Sequence, residues 1–232
     1  METGKLYIIP TPIGNLEDVT IRGKRTLEKL SYLACEDTRS TKKLLGLLDI
    51  DYSNKQLMAY HDHNEVISAK GIISILNRGD DVGLVSDAGT PLISDPGYRL
   101  LRDCREQAIT IVSLPGASSL TAAVAASGLP TDRFQFLGFV PQKKGRKTFL
   151  EQLANSDVTQ VFFESTHKIE RLLKELYDLG LGEAEITLSK EISKLNESHL
   201  HGTVESVKIL MESDPKLSKG EFVIVFSNRR KA

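Results

Sequence analysis

Short apolar runs alternate with stretches of helical periodicity through the first half of the chain. KLYIIP (5–10) reads as a strand, RGKRTLEKL as an amphipathic helix, and the run near 31–35 as a second strand. TRSTKKLLGLLDI predicts a helix with Leu44, Leu45, Leu47 and Leu48 inward, and QLMA a short strand. NEVISAKGIISILNRG predicts a helix capped by Asn64, with Val66, Ile67, Ile72, Ile73, Ile75 and Leu76 on its apolar face and Gly79 at its end. DVGLVS is a strand. DPGYRLLRDCREQ starts a helix with Asp95 as N-cap and Pro96 at its first position, and ITIVSLPG is the next strand. Such alternation implies right-handed crossovers and a mostly parallel sheet.

The pattern changes in the second half. SSLTAAVAASG predicts a small-residue helix suited to close packing, followed by the strand RFQFLGFV, the helix GRKTFLEQLANS, the strand QVFFES and the long helix THKIERLLKELYDLG. EITLSKEI, HLHGTV and EFVIVFS read as strands, with the helix VESVKILMES before the last. Some of these strands are joined by short turns, so the second sheet is expected to be mixed. The fold class is therefore α/β with two α/β domains, 1–114 and 115–232, the first on a mostly parallel sheet and the second on a mixed one.

Composition narrows the class. The 232 residues are 40% hydrophobic and 26% charged with a net charge of −1, ordinary for a soluble globular protein and without a global basic field. METGKLYIIP reads as a first strand, not a signal peptide, and no run reaches the length of a membrane span, so a cytoplasmic location without membrane attachment is expected. Cys35 and Cys104 lack any CxxC spacing and are expected to be buried free thiols in a reducing compartment.

The candidate chemistry gathers at strand ends, where a doubly wound sheet binds ligands. PTPIGNLEDVT (10–20) is neither GxGxxG nor GxxxxGK[ST], so it is not a phosphate-cradling loop. Glu36, Asp37 and Arg39 in CEDTRSTKK project toward the same edge, with Asp37 or Thr38 also available as a helix cap. His61, Asp62 and His63 in AYHDHNE lack a third ligand in helical register, and no metal is expected. In SDAGTP, Asp87 ends a buried strand and Ala88, Gly89 and Thr90 form a turn that lets a ligand lie against the backbone. LPGASSL is not a nucleophile elbow and reads as a ligand-facing turn. These loops converge on a small-molecule site. Basic clusters (Arg22, Lys24, Arg25; Arg39, Lys42, Lys43; Lys143, Lys144, Arg146 and Lys147 around a mobile Gly145; Arg229, Arg230, Lys231) together suggest a docked polyanion, and the 6% aromatic content argues against an open base-stacking platform.

LYIIPTPIGNLEDVTIR, EDTRSTKKLL, YHDHNE, LVSDAGTPLISDPGYRL, LPGASSLTAAVAASGLPTDRFQFLGFVP, FFESTHKI and KGEFVIVF occur in this order. Together they resemble the ribosomal small subunit methyltransferase I family, within the tetrapyrrole-methylase-like (class III) methyltransferases. The resemblance implies S-adenosyl-L-methionine as cofactor, folded into a cleft between the two domains. It also implies 2′-O-methylation of a cytidine ribose in the decoding centre of small-subunit rRNA, as naked rRNA or the 30S particle, by a cytoplasmic homodimer. Carried over by motif, the cofactor residues are Pro12, Asp87, Ala88, Gly89, Ile93, Ser118, Ser119, Phe163, Glu164 and Glu221. The catalytic candidates are Asp37, Arg39 and His61, with Asp37 and His61 as the possible bases. Glu36, Asn64, Lys143, Lys144, Arg146 and Lys147 are the acceptor-side candidates. This chain reads PGASS where relatives often read PGPSA, and Asn196 stands where His is common. Longer members carry a further C-terminal segment, without which this chain is expected to bind its acceptor. A tetrapyrrole or protein methyltransferase, or a non-catalytic RNA-binding module, is the competing reading.

Overall fold

The computed structural model describes residues 2–61, 65–95, 97–166 and 168–228. The chain divides into two compact units, 1–118 and 119–232.

The N-terminal unit is built on a five-stranded parallel sheet in the order β3-β2-β4-β1-β5, with β1 Leu6–Ile8, β2 Tyr32–Cys35, β3 Gln56–Ala59, β4 Val82–Val85 and β5 Ile111–Ser113. Helices α1 Ile21–Lys29 and α2 Thr38–Leu47 cover one face, where Leu27 and Leu45 meet Ile9, Leu33 and Val85. Helices α3 Glu65–Asn77 and α4 Tyr98–Glu106 cover the other, where Ile72, Leu76, Leu100 and Cys104 meet Leu6, Val82 and Leu84. Each such buried aliphatic side chain stabilises by about 1.5–3 kcal/mol. Sheets covered on both faces carry continuous apolar strands, and β4 is buried at all its positions.

Several sequence expectations need correction here. Leu47 faces solvent, because the 3.6-residue period puts Leu44, Leu45 and Leu48 on the core side and turns Leu47 away. Val66 and Ile67 are also exposed, since the buried stripe of α3 starts at Ala69. Asp95 is not the residue at the N-cap position of α4. Gly97 takes that position at φ 143° with no side-chain cap bond. Asn64 and Pro96, expected as a cap and a first helical residue, lie outside the described residues. Cys35 and Cys104 are buried and free, and burial pushes both thiols up to about 11.

The C-terminal unit holds a mixed sheet in the order β6-β7-β10-β8-β9, comprising β6 Phe134–Phe139, β7 Thr159–Glu164, β8 Glu185–Lys190, β9 Ser198–Thr203 and β10 Phe222–Ser227. β6 and β7 are parallel and the other neighbours antiparallel. Helices α6 Arg146–Asn155, α7 Ile169–Asp178 and α8 Val204–Ser213 bury Leu153, Leu172, Leu176 and Val207 against Phe162, Ile186, Leu188 and Ile224. The opposite face takes α5 Ser119–Ala126, whose Ala123 and Val124 fit close over Val161, Val223 and Val225.

A buried arginine anchors the start of α6 in this unit. Arg146, expected as a mobile RNA-facing cation, is 5% exposed at the start of α6. Its Nε donates to Glu175 at 2.7 Å, its Nη1 donates to the Pro141 carbonyl at 3.0 Å, and Glu164 lies 3.6 Å away. Burial raises the Glu175 pKa, but hydrogen bonds from Arg146 and Arg171 outweigh it and hold the carboxyl below its ordinary range. A depressed carboxylate adds stability above its unfolded pKa that is lost as pH falls through its folded value. We therefore expect the urea midpoint of the full chain to drop as pH falls below 4.5, the ordinary value of this carboxyl. Arg146→Ala should lower stability by about 3 kcal/mol at neutral pH and flatten that pH dependence. Equal pH profiles for wild type and variant would remove Arg146 from this role.

Candidate functional site

The carboxyl ends of the N-terminal strands lie side by side in sheet order. Beyond β3, the Tyr60 N–H donates to the Cys35 carbonyl at 2.7 Å, which sets His61 beside the end of β2. Beyond β2, the Glu36 N–H donates to Val85 at 3.3 Å, and the Glu36 carboxylate accepts from the Asp87 N–H at 3.1 Å. Beyond β4, Gly89 and Thr11 exchange two backbone hydrogen bonds of 2.9 Å each, and the Thr11 hydroxyl donates to the Ser86 carbonyl at 3.2 Å. The Thr90 hydroxyl donates to the Ala117 carbonyl at 2.9 Å, which joins the turn after β4 to the one after β5. These bonds bring Asp37, Arg39, His61, Pro12, Asp87, Ala88, Gly89 and Ser118 to one edge.

Glycine is required at two points of this rim. Gly89 adopts φ 81°. A Cβ on Gly116 would meet the Pro10 ring at 2.6 Å, so this close approach of the first and last loops excludes any side chain. Leu92 and Ser94 also have positive φ, 76° and 69°, on either side of the exposed Ile93. Strained non-glycine backbone concentrates where structure over-determines a loop for function. The sequence carries no sign of these two, because neither Leu nor Ser is a residue that favours φ above zero.

Asp37 caps α2, accepting the Arg39 N–H at 2.7 Å, and its carboxylate also pairs with the Arg39 guanidinium at 2.7 Å. The Arg39 side-chain hydrogen bond, then its backbone bond, hold Asp37 down to about 2. Such a carboxylate stays charged throughout the neutral range and accepts a proton poorly. His61 is half-buried. Its position is set by Tyr60, which sequence reading missed: the 1%-exposed phenol donates to Glu65 at 3.1 Å, and Glu65 also pairs with Arg99 of α4 at 3.4 Å. The phenol's pKa is raised, first by burial and then by the Glu65 charge. Asn64 lies outside the described residues.

In the C-terminal unit, Phe163 packs its ring 5.1 Å from both Phe136 and Phe139. Glu164, expected to face a ligand, is instead 4% exposed and accepts from the Ser165 N–H at 2.7 Å, because its strand position points it toward Arg146. Glu221 is exposed and pairs with Lys194 at 2.9 Å. Ser119 is the first residue of α5. Lys143, Lys144 and Lys147 are exposed, with Lys147 3.8 Å from Glu151.

Residues 5–208 match the family model of the Tetrapyrrole (Corrin/Porphyrin) Methylases. The chain is 44% identical over 232 residues to a ribosomal RNA small subunit methyltransferase I of Escherichia coli O157:H7, covering 98% of this chain and 79% of that protein. It is 42% identical over 231 residues to a protein of the same name from Haemophilus influenzae, covering 99% and 81%. The chain belongs to the tetrapyrrole methylases, among the ribosomal RNA small subunit methyltransferase I proteins.

The fold of this methyltransferase agrees. The crystal structure of diphthine synthase superposes with a TM-score of 0.71 over 97% of this chain and 90% of that one, at 15% identity. The methylase rim is held by backbone and hydroxyl bonds, so its weak points are small changes. Thr90→Val should cost about 1 kcal/mol through the lost hydrogen bond to Ala117. Gly116→Ala should cost about 1–3 kcal/mol through overpacking on Pro10, both read as shifts in the chemical-denaturation midpoint at constant slope. A Gly116→Ala protein as stable as wild type would show that the Pro10 contact is loose.

Proposed function

We propose that this methyltransferase uses S-adenosyl-L-methionine to methylate the ribose 2′-oxygen of a cytidine in the decoding centre of small-subunit rRNA. It acts in the cytoplasm, as a homodimer, on rRNA or the 30S particle. The observation that carries this reading is the near-full-length likeness to ribosomal RNA small subunit methyltransferases I, together with a rim whose chemistry suits the cofactor.

The fit rests on the donor set. S-adenosylmethionine carries a sulfonium and an ammonium, and the rim offers the exposed Asp87 carboxylate beside Ala88 and Gly89, whose lack of bulk leaves the backbone open. Pro12, Ile93 and Ser118 flank this ledge in the same unit. When bound, the cofactor supplies a methyl group already activated by its sulfonium sulfur, so the chain's residues have only to position the acceptor and move one proton. Holding the hydroxyl in line with the methyl supplies much of the rate. Arg39 is suited to a phosphate or ribose of the acceptor, and Asp37 keeps its guanidinium oriented through the pair described above. With Asp37 held at about 2, His61 is the stronger candidate for taking the 2′-hydroxyl proton.

The test has two stages. Calorimetry with S-adenosylmethionine should show binding, and tritiated methyl should then pass to small ribosomal subunits at a cytidine 2′-oxygen. Under saturating cofactor, His61→Ala should lower kcat by about 10²–10⁴. Asp37→Asn should act mainly on the acceptor KM and leave the shape of the pH profile between pH 5 and pH 9 as in wild type, because Asp37 is held at about 2. Cofactor binding without transfer to RNA would favour a binding module, and transfer to a tetrapyrrole or a protein instead would overturn the RNA assignment. Unchanged turnover in His61→Ala would remove it as the base.

A further inference from the structure

Helix α1 presents a second feature that the rim does not use. Arg22, Arg25 and Lys29 follow one another at i, i+3 and i+7, which places them on one helix face. All three are exposed, and at 1.5 Å per residue the stripe runs about 10 Å along the helix axis. They line a groove of about 430 Å³ that also takes in Tyr7 of β1 and the exposed Ile21. Among the described residues none of the three is ion-paired. The one acid in the lining, Asp81, is already engaged: its carboxylate accepts the Lys5 N–H at 2.8 Å.

Several other exposed cations of this unit are paired, Arg39 with Asp37, Arg78 with Asp80, Arg99 with Glu65 and Arg102 with Asp103, whereas the three α1 cations share one face and one groove. Three unpaired cations along an open groove with apolar walls ask for a long anion. A string of phosphates with less polar groups between them matches both features, and a small isolated anion would leave the apolar walls unused. The position matters too. α1 begins directly after the loop that carries Thr11 and Pro12, so the stripe leads away from the rim along the same unit.

We propose that the α1 groove binds the phosphodiester backbone of the acceptor RNA, outside the segment that carries the reacting ribose. The proposal rests on the reading of rRNA as acceptor. Its contacts are with phosphates and position the strand without reading its sequence. Each cation engaged with a phosphate releases counterions, so the groove contributes to affinity in a salt-dependent way.

The test is the triple variant Arg22→Glu, Arg25→Glu, Lys29→Glu in the full chain, with the matching Gln triple as a milder second form. Exposed helix positions tolerate such changes, and thermal unfolding and S-adenosylmethionine affinity should match wild type. The KM for small-subunit rRNA should rise about tenfold or more with kcat little changed. The slope of log affinity against log salt should become shallower by about 2, from three contacts at roughly 0.7 each on a single strand. A control triple, Lys70→Glu, Arg78→Glu, Arg105→Glu, changes net charge by the same amount at exposed positions away from α1. An equal loss in the control would show a general field effect and overturn the proposal, as would an unchanged KM and salt slope in the α1 variants. If wild type transfers no methyl to rRNA, the functional reading fails instead. Filter retention of the same rRNA by wild type and the α1 triple then decides the groove separately, with equal retention overturning it.

Discussion

Two hydrogen bonds between the backbones of Thr11 and Gly89 hold the working edge of the N-terminal unit together. A parallel sheet leaves its loops at the carboxyl edge with no sheet bonds of their own. Here β1 and β4 are parallel neighbours, and an antiparallel Thr11–Gly89 bridge then joins the loops that follow them. Everything else at the rim builds on that bridge. Thr11 reaches Ser86 only because its backbone is fixed, and the compact turn at Gly89 presents Thr90 to Ala117. The contact of Gly116 with Pro10 closes the set. The result is a ledge made mostly of main chain, whose shape depends on a few residues that lack or contort side chains.

The C-terminal unit solves a different problem. Its buried Arg146 cannot be stabilised by water, so Glu175, Glu164 and the Pro141 carbonyl surround it. A buried ion pair of this kind adds little net stability over an apolar substitute, but it penalises misplacement of any partner heavily. The geometry links the end of β7, the start of α6 and the middle of α7. It also ties down the base of the lysine loop, so Lys143 and Lys144 extend from a fixed anchor.

Much of this was legible in the sequence, and the failures have specific causes. The parallel and mixed sheets followed from where periodicity switches between strand and helix, and the gathering of the loops at one edge followed from polar loops at successive strand ends. Leu47, Val66 and Ile67 were misassigned because an apolar residue does not reveal which side of a helix it is on near a terminus. Asp95 was misassigned because Asp before Pro-Gly fits a helix start, whereas the chain turns through Leu92, Ser94 and Gly97 first. Arg146 was misread because a basic run looks solvated residue by residue, and only the tertiary fold places Glu164 and Glu175 around one member of it. The Tyr60–Glu65–Arg99 linkage joins the end of β3 to two helices, a relation no local pattern encodes.

A net charge of −1 conceals a separation that the proposed function requires. Among its described residues the rim is acidic, with Glu36, Asp37 and Asp87 around Arg39, and such an edge attracts a cationic sulfonium while resisting a polyanion. On the proposed reading, an RNA acceptor must nevertheless bring its ribose to that edge. The two demands are compatible only if the strand is gripped where the surface is basic and delivers a short segment to the acidic rim. The α1 stripe leads away from the loop of Thr11 and Pro12, and Arg39 stands among the carboxylates, paired with Asp37. Uniformly basic surfaces would bind RNA more tightly but would compete with the cofactor's charge at the reacting centre. Segregating the charges within one unit therefore serves selectivity of position, at the expense of the stronger global attraction a basic protein would have.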